Sequence, residues 1–168
     1  MSTYKDQLRK SLKPISNKEE KDQRIIQYLK FFLEGKKVAL YMALANEVDL
    51  SKLLKEDIYL PKTDDRISFY KNTGNFTKGK FGVLEPLSEE KIDTNDLDVI
   101  VIPALAYNKK GYRLGRGKGY YDKALENFSG LKIGVIYDDL LIDDDFQEAH
   151  DLKVDILITE KRVIKFEV

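Results

Sequence analysis

Residues 98–103 have the sequence Asp98-Val99-Ile100-Val101-Ile102-Pro103, an unbroken apolar run that ends at a proline. Runs of this kind are typical of a strand that is covered on both faces of its sheet. Segments 132–137 and 155–159 have the same character, and stretches with helical spacing of apolar residues lie elsewhere in the chain. Strands that alternate with helices predict an α/β fold with a largely parallel sheet.

Outward from this strand, the chain divides into short predicted elements. Apolar spacing predicts a helix over 4–15 and a second helix that ends near Glu34, before Gly35. A capping box of Ser16 and Glu19 should open the second helix. We expect strands at 37–41, at 58–60 with Pro61 as the stop, at 67–71 and at the edge 162–166. Short helices are expected at 50–55 and 120–127.

Length and composition favour one domain, residues 1–168, with 1–35 as a helical arm packed on it. The absence of Cys excludes disulfides and thiolate metal sites, and the single His150 argues against a histidine zinc site or a Ser-His-Asp triad. The chain has no apolar run of about 18 residues that could span a membrane. Its first residues also lack the apolar core of a signal peptide. We therefore expect a cytoplasmic protein, present as a monomer or a weak dimer.

Charge is distributed unevenly, although 29 basic and 29 acidic residues give a net charge of zero. Residues 1–37 and 108–123 each carry a net charge of +5, and residues 138–155 carry −7. Zero net charge argues against a general nucleic-acid binder. The two basic segments can either fold together into an anion site or lie apart as solvated faces. The acidic run Asp143–Asp145 favours a solvated loop or the start of a helix.

The most informative loop follows the buried strand and ends in Arg113-Leu114-Gly115-Arg116-Gly117-Lys118-Gly119-Tyr120-Tyr121-Asp122. Ligands of open α/β sheets bind outside the carboxyl ends of strands. Glycines let backbone N–H groups approach an anion, the basic residues add charge, and a helix that begins near Gly119 would add its dipole. The spacing matches neither a Walker A loop nor a dinucleotide fingerprint. The loop predicts a triphosphate cradle, and the alternative is a flexible basic loop.

Three side chains at the end of this loop have two possible roles each. Asp122 could hold Mg²⁺ beside a polyphosphate or could stabilise the first turn of a helix. Tyr120 and Tyr121 could form the wall of a binding site or belong to the core.

The loop 113–122 resembles the signature of the 5-formyltetrahydrofolate cyclo-ligase family, also called methenyltetrahydrofolate synthetases. Weaker blocks agree in order and spacing: Lys5 with Arg9, Tyr41-Met42 with Glu47, Phe81-Gly82 with Glu85-Pro86, and Lys153-Val154-Asp155. The sequence departs from the family at Ala104, where Gly is usual, and at Asn108, where an acid is common. These departures concern loop detail more than function.

The resemblance implies a three-layer α/β/α fold with a mixed, mainly parallel sheet, similar to ribose-phosphate isomerases and CoA transferases. It implies ATP- and Mg²⁺-dependent closure of 5-formyltetrahydrofolate to 5,10-methenyltetrahydrofolate, through a phosphorylated N5-iminium intermediate. Arg116 and Lys118 are the expected catalytic cations, and Asp122 and Asp155 would serve Mg²⁺. The folate would contact Arg9, Met42, Glu47 and Tyr121. ATP would bind Lys5, Arg9, Arg113, Leu114, Gly115, Arg116, Gly117, Lys118, Gly119, Tyr120 and Tyr121.

Two other functions remain open on the residues alone. A small-molecule kinase would use the same phosphate loop but leave a phosphorylated product. A nucleotide- or folate-binding regulator, or an RNA-associated module, would use the basic loop and its tyrosines without catalysis, although zero net charge weighs against RNA.

Overall fold

The computed structural model describes residues 3–167. Its α-helices are α1 (Tyr4–Ser11), α2 (Lys18–Leu33) and α3 (Tyr120–Ala124). Its strands are β1 (Val38–Ala39), β2 (Ile58–Thr63), β3 (Ile67–Lys71), β4 (Phe76–Lys78), β5 (Leu84–Pro86), β6 (Lys91–Ile92), β7 (Val99–Ile102), β8 (Ala106–Asn108), β9 (Arg113–Leu114), β10 (Leu131–Val135), β11 (Leu141–Ile142), β12 (Ile156–Ile158) and β13 (Val163–Lys165). No helix in this part of the chain combines the length and apolar character needed to cross a bilayer.

The main sheet has the strand order β13-β12-β10-β7-β1-β2-β3-β6. Its five central strands, from β12 to β2, are parallel. At the edges, β13 pairs antiparallel with β12, β3 pairs antiparallel with β2, and β6 pairs antiparallel with β3. All four residues of β7 are buried, as expected for a central strand. The prediction of an α/β fold with a mainly parallel sheet and a 162–166 edge strand is confirmed.

Several predicted boundaries are wrong, each for a local reason. Helix α1 ends at Ser11 because Pro14 lies three residues on, and residues before a proline avoid helical angles. The capping box belongs to α1 instead: Thr3 Oγ1 accepts from the Asp6 N–H, and Asp6 Oδ2 accepts from the Thr3 N–H. These bonds from Thr3 lower the pKa of Asp6. Asn17 precedes α2 in a left-handed conformation without a side-chain cap.

Pro61 does not stop β2, which continues to Thr63 and pairs Pro61 with Phe69. A proline is tolerated where its nitrogen faces no partner strand. Strand β1 pairs only with Ile58 and Tyr59, so that side of β2 is free at Pro61. Helix α3 has five residues instead of the eight expected, which weakens the dipole that the sequence assigned to its start.

Candidate active site

The loop between β7 and α3 crosses the carboxyl edge of the sheet and contains a small hairpin. Strands β8 and β9 pair antiparallel, and the Asn108 amide fixes the turn between them. Asn108 is buried and accepts from the N–H groups of Lys110 and Tyr112, while its NH₂ donates to Gln147 and to the Asp144 carbonyl. An ionised acid could not make those donations. The departure at Asn108 therefore has a local structural role.

Arg113 is held tightly at the end of this hairpin. Its Nε donates to the Pro103 carbonyl at 2.6 Å, and its guanidinium lies 4.9 Å from the centre of the Tyr121 ring. A side chain on Gly115 would meet the Arg113 guanidinium, so a larger residue there would have to displace Arg113. Burial raises the pKa of Tyr121, which is therefore a neutral phenol at physiological pH.

Two cavities adjoin at this loop. The apolar cavity, about 280 Å³, is lined by Tyr41, Met42, Leu44, Glu47, Pro61, Thr63, Ile67, Phe81, Val83, Glu85, Pro103, Arg113, Arg116, Lys118, Gly119, Tyr120 and Tyr121. The polar cavity, about 380 Å³, is lined by Thr3, Tyr4, Lys5, Asp6, Arg9, Arg113, Leu114, Gly115, Gly117, Gly119, Asp122, Phe146, Glu148 and Asp151. Arg113 and Gly119 belong to both linings, so the two cavities meet there.

Alternate residues of the loop face different cavities. Gly115 and Gly117 line the polar cavity, whereas Arg116 and Lys118 line the apolar one. The sequence predicted one continuous cradle for all of these residues. The structure instead divides the glycine backbone from the two cations.

The apolar cavity has a buried carboxylate at its wall. Glu47 is 8% exposed, and its Oε1 accepts from the Leu44 N–H at 2.9 Å. Its Oε2 lies 3.8 Å from the Arg116 guanidinium, which also donates to Asn46. Met42 lines the same cavity. A carboxylate among apolar and aromatic walls suits a flat ligand that carries N–H donors at one edge.

Helix α1 brings the N-terminal basic residues to the polar cavity. Arg9 Nε donates to the Gly115 carbonyl at 2.7 Å, and Lys5 Nζ lies 2.6 Å from Asp151. The two basic segments of the sequence therefore do come together. Arg9 lines only the polar cavity, so the structure does not bring it to the apolar one, where the resemblance implied a folate contact.

The two acids expected at a metal site are separated. Asp122 lines the polar cavity, and its Oδ1 accepts from the Leu152 N–H at 3.1 Å. Asp155 lines neither cavity; it precedes β12 at the amino edge of the sheet and accepts from the Lys132 N–H at 2.9 Å. The structure therefore does not bring Asp155 to Asp122, and the Asp155 carboxylate joins β12 to β10.

Residues 3–167 contain no cluster of three or more acidic or histidine side chains arranged to hold a metal ion. Mg²⁺ is commonly bound by one or two carboxylates together with substrate phosphates, and it keeps several waters. The single carboxylate of Asp122, beside the glycine backbone of the polar cavity, fits that kind of site.

Several residues at the cavities were not predicted as site residues. Phe81 and Glu85 come from the β4–β5 hairpin; the Phe81 ring lies 6.1 Å from Tyr120, and Glu85 accepts from the Thr63 N–H. The sequence block of Phe81-Gly82 and Glu85-Pro86, which resembles the family, was the signal that could have identified these two residues. Glu148 and Asp151 come from the acidic segment 138–155, where the sequence predicted no site residue other than Asp155.

A model of the 5-formyltetrahydrofolate cyclo-ligase family matches residues 2–160. The chain belongs to this family. This result confirms the resemblance seen in the glycine-rich loop. Because the members of this family are cyclo-ligases, the chain is an enzyme of that type.

Named relatives agree with the family model. A cyclo-ligase of Mycoplasma genitalium is 36% identical over 130 residues, which cover 70% of this chain and 71% of the relative. A cyclo-ligase of Mycolicibacterium smegmatis is 39% identical over 97 residues, 54% of this chain but only 49% of the relative. The solved structure of the 5,10-methenyltetrahydrofolate synthetase of Aquifex aeolicus is 36% identical, with a TM-score of 0.85 over 99% of this chain and 94% of that one.

Proposed function

We propose that this cyclo-ligase converts 5-formyltetrahydrofolate and ATP to 5,10-methenyltetrahydrofolate, ADP and phosphate. The meeting of the two cavities at Arg113 and Gly119 carries the proposal. A reaction that moves a phosphoryl group from a nucleotide to a folate needs the two ligands side by side, with the γ-phosphate facing the formyl group.

The apolar cavity is the proposed folate site. The Glu47 carboxylate would accept hydrogen bonds from the amino and ring N–H groups of the pterin. Met42, Phe81 and the tyrosines Tyr120 and Tyr121 would pack on its rings.

The polar cavity is the proposed ATP site. Backbone at Leu114, Gly115, Gly117 and Gly119 would approach the phosphates closely because glycine leaves room. Lys5, Arg9 and Arg113 would supply positive charge. Asp122 would hold Mg²⁺, which supplies charge neutralisation to the phosphates when it is bound.

The formyl oxygen is a poor leaving group until it is phosphorylated. In the proposed reaction this oxygen attacks the γ-phosphorus, the bond to the ADP oxygen breaks, and an N5-iminium phosphate forms. N10 then attacks the formyl carbon and loses its proton, and the C–O bond breaks to release phosphate with the former formyl oxygen. Arg116 and Lys118, on the folate side of the junction, would stabilise the charge on the transferred group.

The proposal treats residues 1–168 as one cyclo-ligase domain, with 1–35 as its helical arm, arranged in three α/β/α layers like ribose-phosphate isomerases. The packing of α2 against β12 and of α3 against β3 supports the layering. The contacts of Lys5 and Arg9 support a packed arm. We further propose that the protein is a cytoplasmic monomer or weak dimer. Its partners would be the two small-molecule substrates, with no nucleic acid and no membrane among them.

A near-UV absorbance assay for methenyltetrahydrofolate tests the function. The expected result is product formation from 5-formyltetrahydrofolate that requires protein, ATP and Mg²⁺, with one phosphate released per product. A phosphorylated folate without free phosphate would indicate a kinase instead. Nucleotide binding with no chemistry under any of these conditions would contradict the proposal.

A further inference from the structure

The acidic segment of the chain is packed against the basic helix α1. The Tyr4 hydroxyl donates to Asp144, and Lys5 Nζ lies 2.6 Å from Asp151 and 3.6 Å from Glu148. No residue of α1 is fully buried, and these polar contacts add to the packing of Leu8 against the core. The segment with a net charge of −7 is therefore part of the polar cavity.

The Lys5–Asp151 pair is shielded from water. The Asp151 side chain is 4% exposed and the Lys5 side chain 20%. Asp151 also accepts from the Glu148 N–H at 2.9 Å, which fixes the carboxylate toward Lys5. Charges that are partly removed from water interact more strongly than exposed ones.

Acids outnumber bases around the polar cavity. Three basic side chains and four carboxylates line it, among the residues that the structure describes. Two of the three cations that should meet a phosphate already have a carboxylate partner, since Lys5 pairs with Asp151 and Arg9 with Asp6. An incoming polyphosphate must therefore compete with the Asp151 carboxylate for Lys5 and also tolerate its negative charge.

We propose that Asp151, assisted by Glu148, acts as an internal competitor for phosphate and makes the polar cavity select a metal-complexed triphosphate over the free one. The inference rests on the proposed role of this cavity as the ATP site. Free ATP carries more negative charge than its magnesium complex, so a fixed carboxylate repels it more strongly. Discrimination of this kind uses a repulsive element against the wrong ligand.

Binding measurements separate this role from a structural one. We would measure the Kd of ATP, in EDTA and in excess Mg²⁺, by equilibrium dialysis for the wild type and for Asp151→Asn. Asparagine keeps the acceptor for the Glu148 N–H but removes the charge. Asp143→Asn is the matched control, because it removes the same charge from the same segment at a residue that pairs with Lys109 and not with α1.

The expected result is that Asp151→Asn binds ATP in EDTA about tenfold more tightly than the wild type. Its Kd for ATP with Mg²⁺ should change by less than about threefold, and Asp143→Asn should leave both constants near the wild-type values. Thermal unfolding of each variant checks that the fold is retained.

Lys5→Gln gives an independent readout of the competition. In the wild type, Lys5→Gln should weaken free ATP binding only slightly, because Asp151 already occupies the lysine. In the Asp151→Asn background the same change should weaken it several-fold more, because the lysine released from Asp151 would then pair with the phosphates.

Three outcomes would overturn the inference. Free ATP could bind Asp151→Asn no more tightly than the wild type, Asp143→Asn could give an equal gain, or Asp151→Asn could weaken binding with Mg²⁺ as a metal ligand would. If the polar cavity were not the ATP site, the wild type itself would not bind ATP in the presence of Mg²⁺. Failure of the proposed reaction would appear separately, as absence of methenyltetrahydrofolate in the absorbance assay.

Discussion

Lys118 is an exposed residue between two glycines, and its side chain lines the apolar cavity. Because it buries little surface, Lys118→Ala should fold normally. We expect kcat to fall by about 10²–10³, the effect of removing one charge that stabilises a transition state. Arg116→Ala should behave similarly. Steady-state kinetics measures the change in kcat. The control is Lys123→Ala, because Lys123 is an exposed lysine on α3. Unchanged kcat in both loop variants would show that neither Arg116 nor Lys118 stabilises the transition state.

Glu47 is the buried carboxylate of the proposed pterin site. Glu47→Gln keeps an acceptor for the Leu44 N–H but loses the charged hydrogen bond to the ligand. We expect the KM for folate to rise about tenfold or more, with little change in the KM for ATP. Asp49→Asn, two residues away and exposed, is the control. Equal increases in both KM values would argue against a pterin contact.

At the scale of elements, the glycine loop has a left-handed glycine at the start of α3. Gly119 has φ +70° and lines both cavities. Gly119→Ala should destabilise the loop by about 1 kcal/mol and lower activity, because either the backbone or the junction must shift. Gly74 has φ +80° at an open turn, so Gly74→Ala should lower stability without lowering activity. Equal activity in the two variants would contradict a role for the loop conformation.

Asp155 pins β12 to β10, and Asp122 faces the polar cavity. Asp155→Ala leaves the Lys132 N–H without its acceptor and should lower the Tm by about 2–6 °C while the Mg²⁺ dependence of activity stays unchanged. Asp122→Asn should raise the Mg²⁺ concentration for half-maximal activity about tenfold or more. A shifted Mg²⁺ requirement in Asp155→Ala would restore Asp155 as a metal residue.

The strands could be predicted because burial on both faces leaves an apolar run, as in β7, β10 and β12. Their ends could not, since Pro61 is accommodated only because β1 is too short to lie beside it. The loop residues were found from their spacing. Their division between two cavities was not, because it depends on Phe81 and on α1, which are distant in sequence. The distance of Asp155 from both cavities could not be predicted either, because its motif says nothing about which edge of the sheet it occupies.

Although the whole molecule has zero net charge, segments of opposite charge pack against each other. The basic arm lies against the acidic segment, and the glycine loop lies between the two cavities. This arrangement places the expected nucleotide and folate sites on either side of Arg113 and Gly119. The central claim is that a phosphoryl group crosses this junction to the formyl oxygen.

The most direct test labels the formyl oxygen of 5-formyltetrahydrofolate with oxygen-18 and analyses the released phosphate by mass spectrometry after a single turnover. If the formyl oxygen attacks the γ-phosphorus and later leaves with it, the phosphate should carry one labelled oxygen for each methenyltetrahydrofolate formed. Unlabelled phosphate, formed alongside the same product, would contradict phosphoryl transfer to the formyl group.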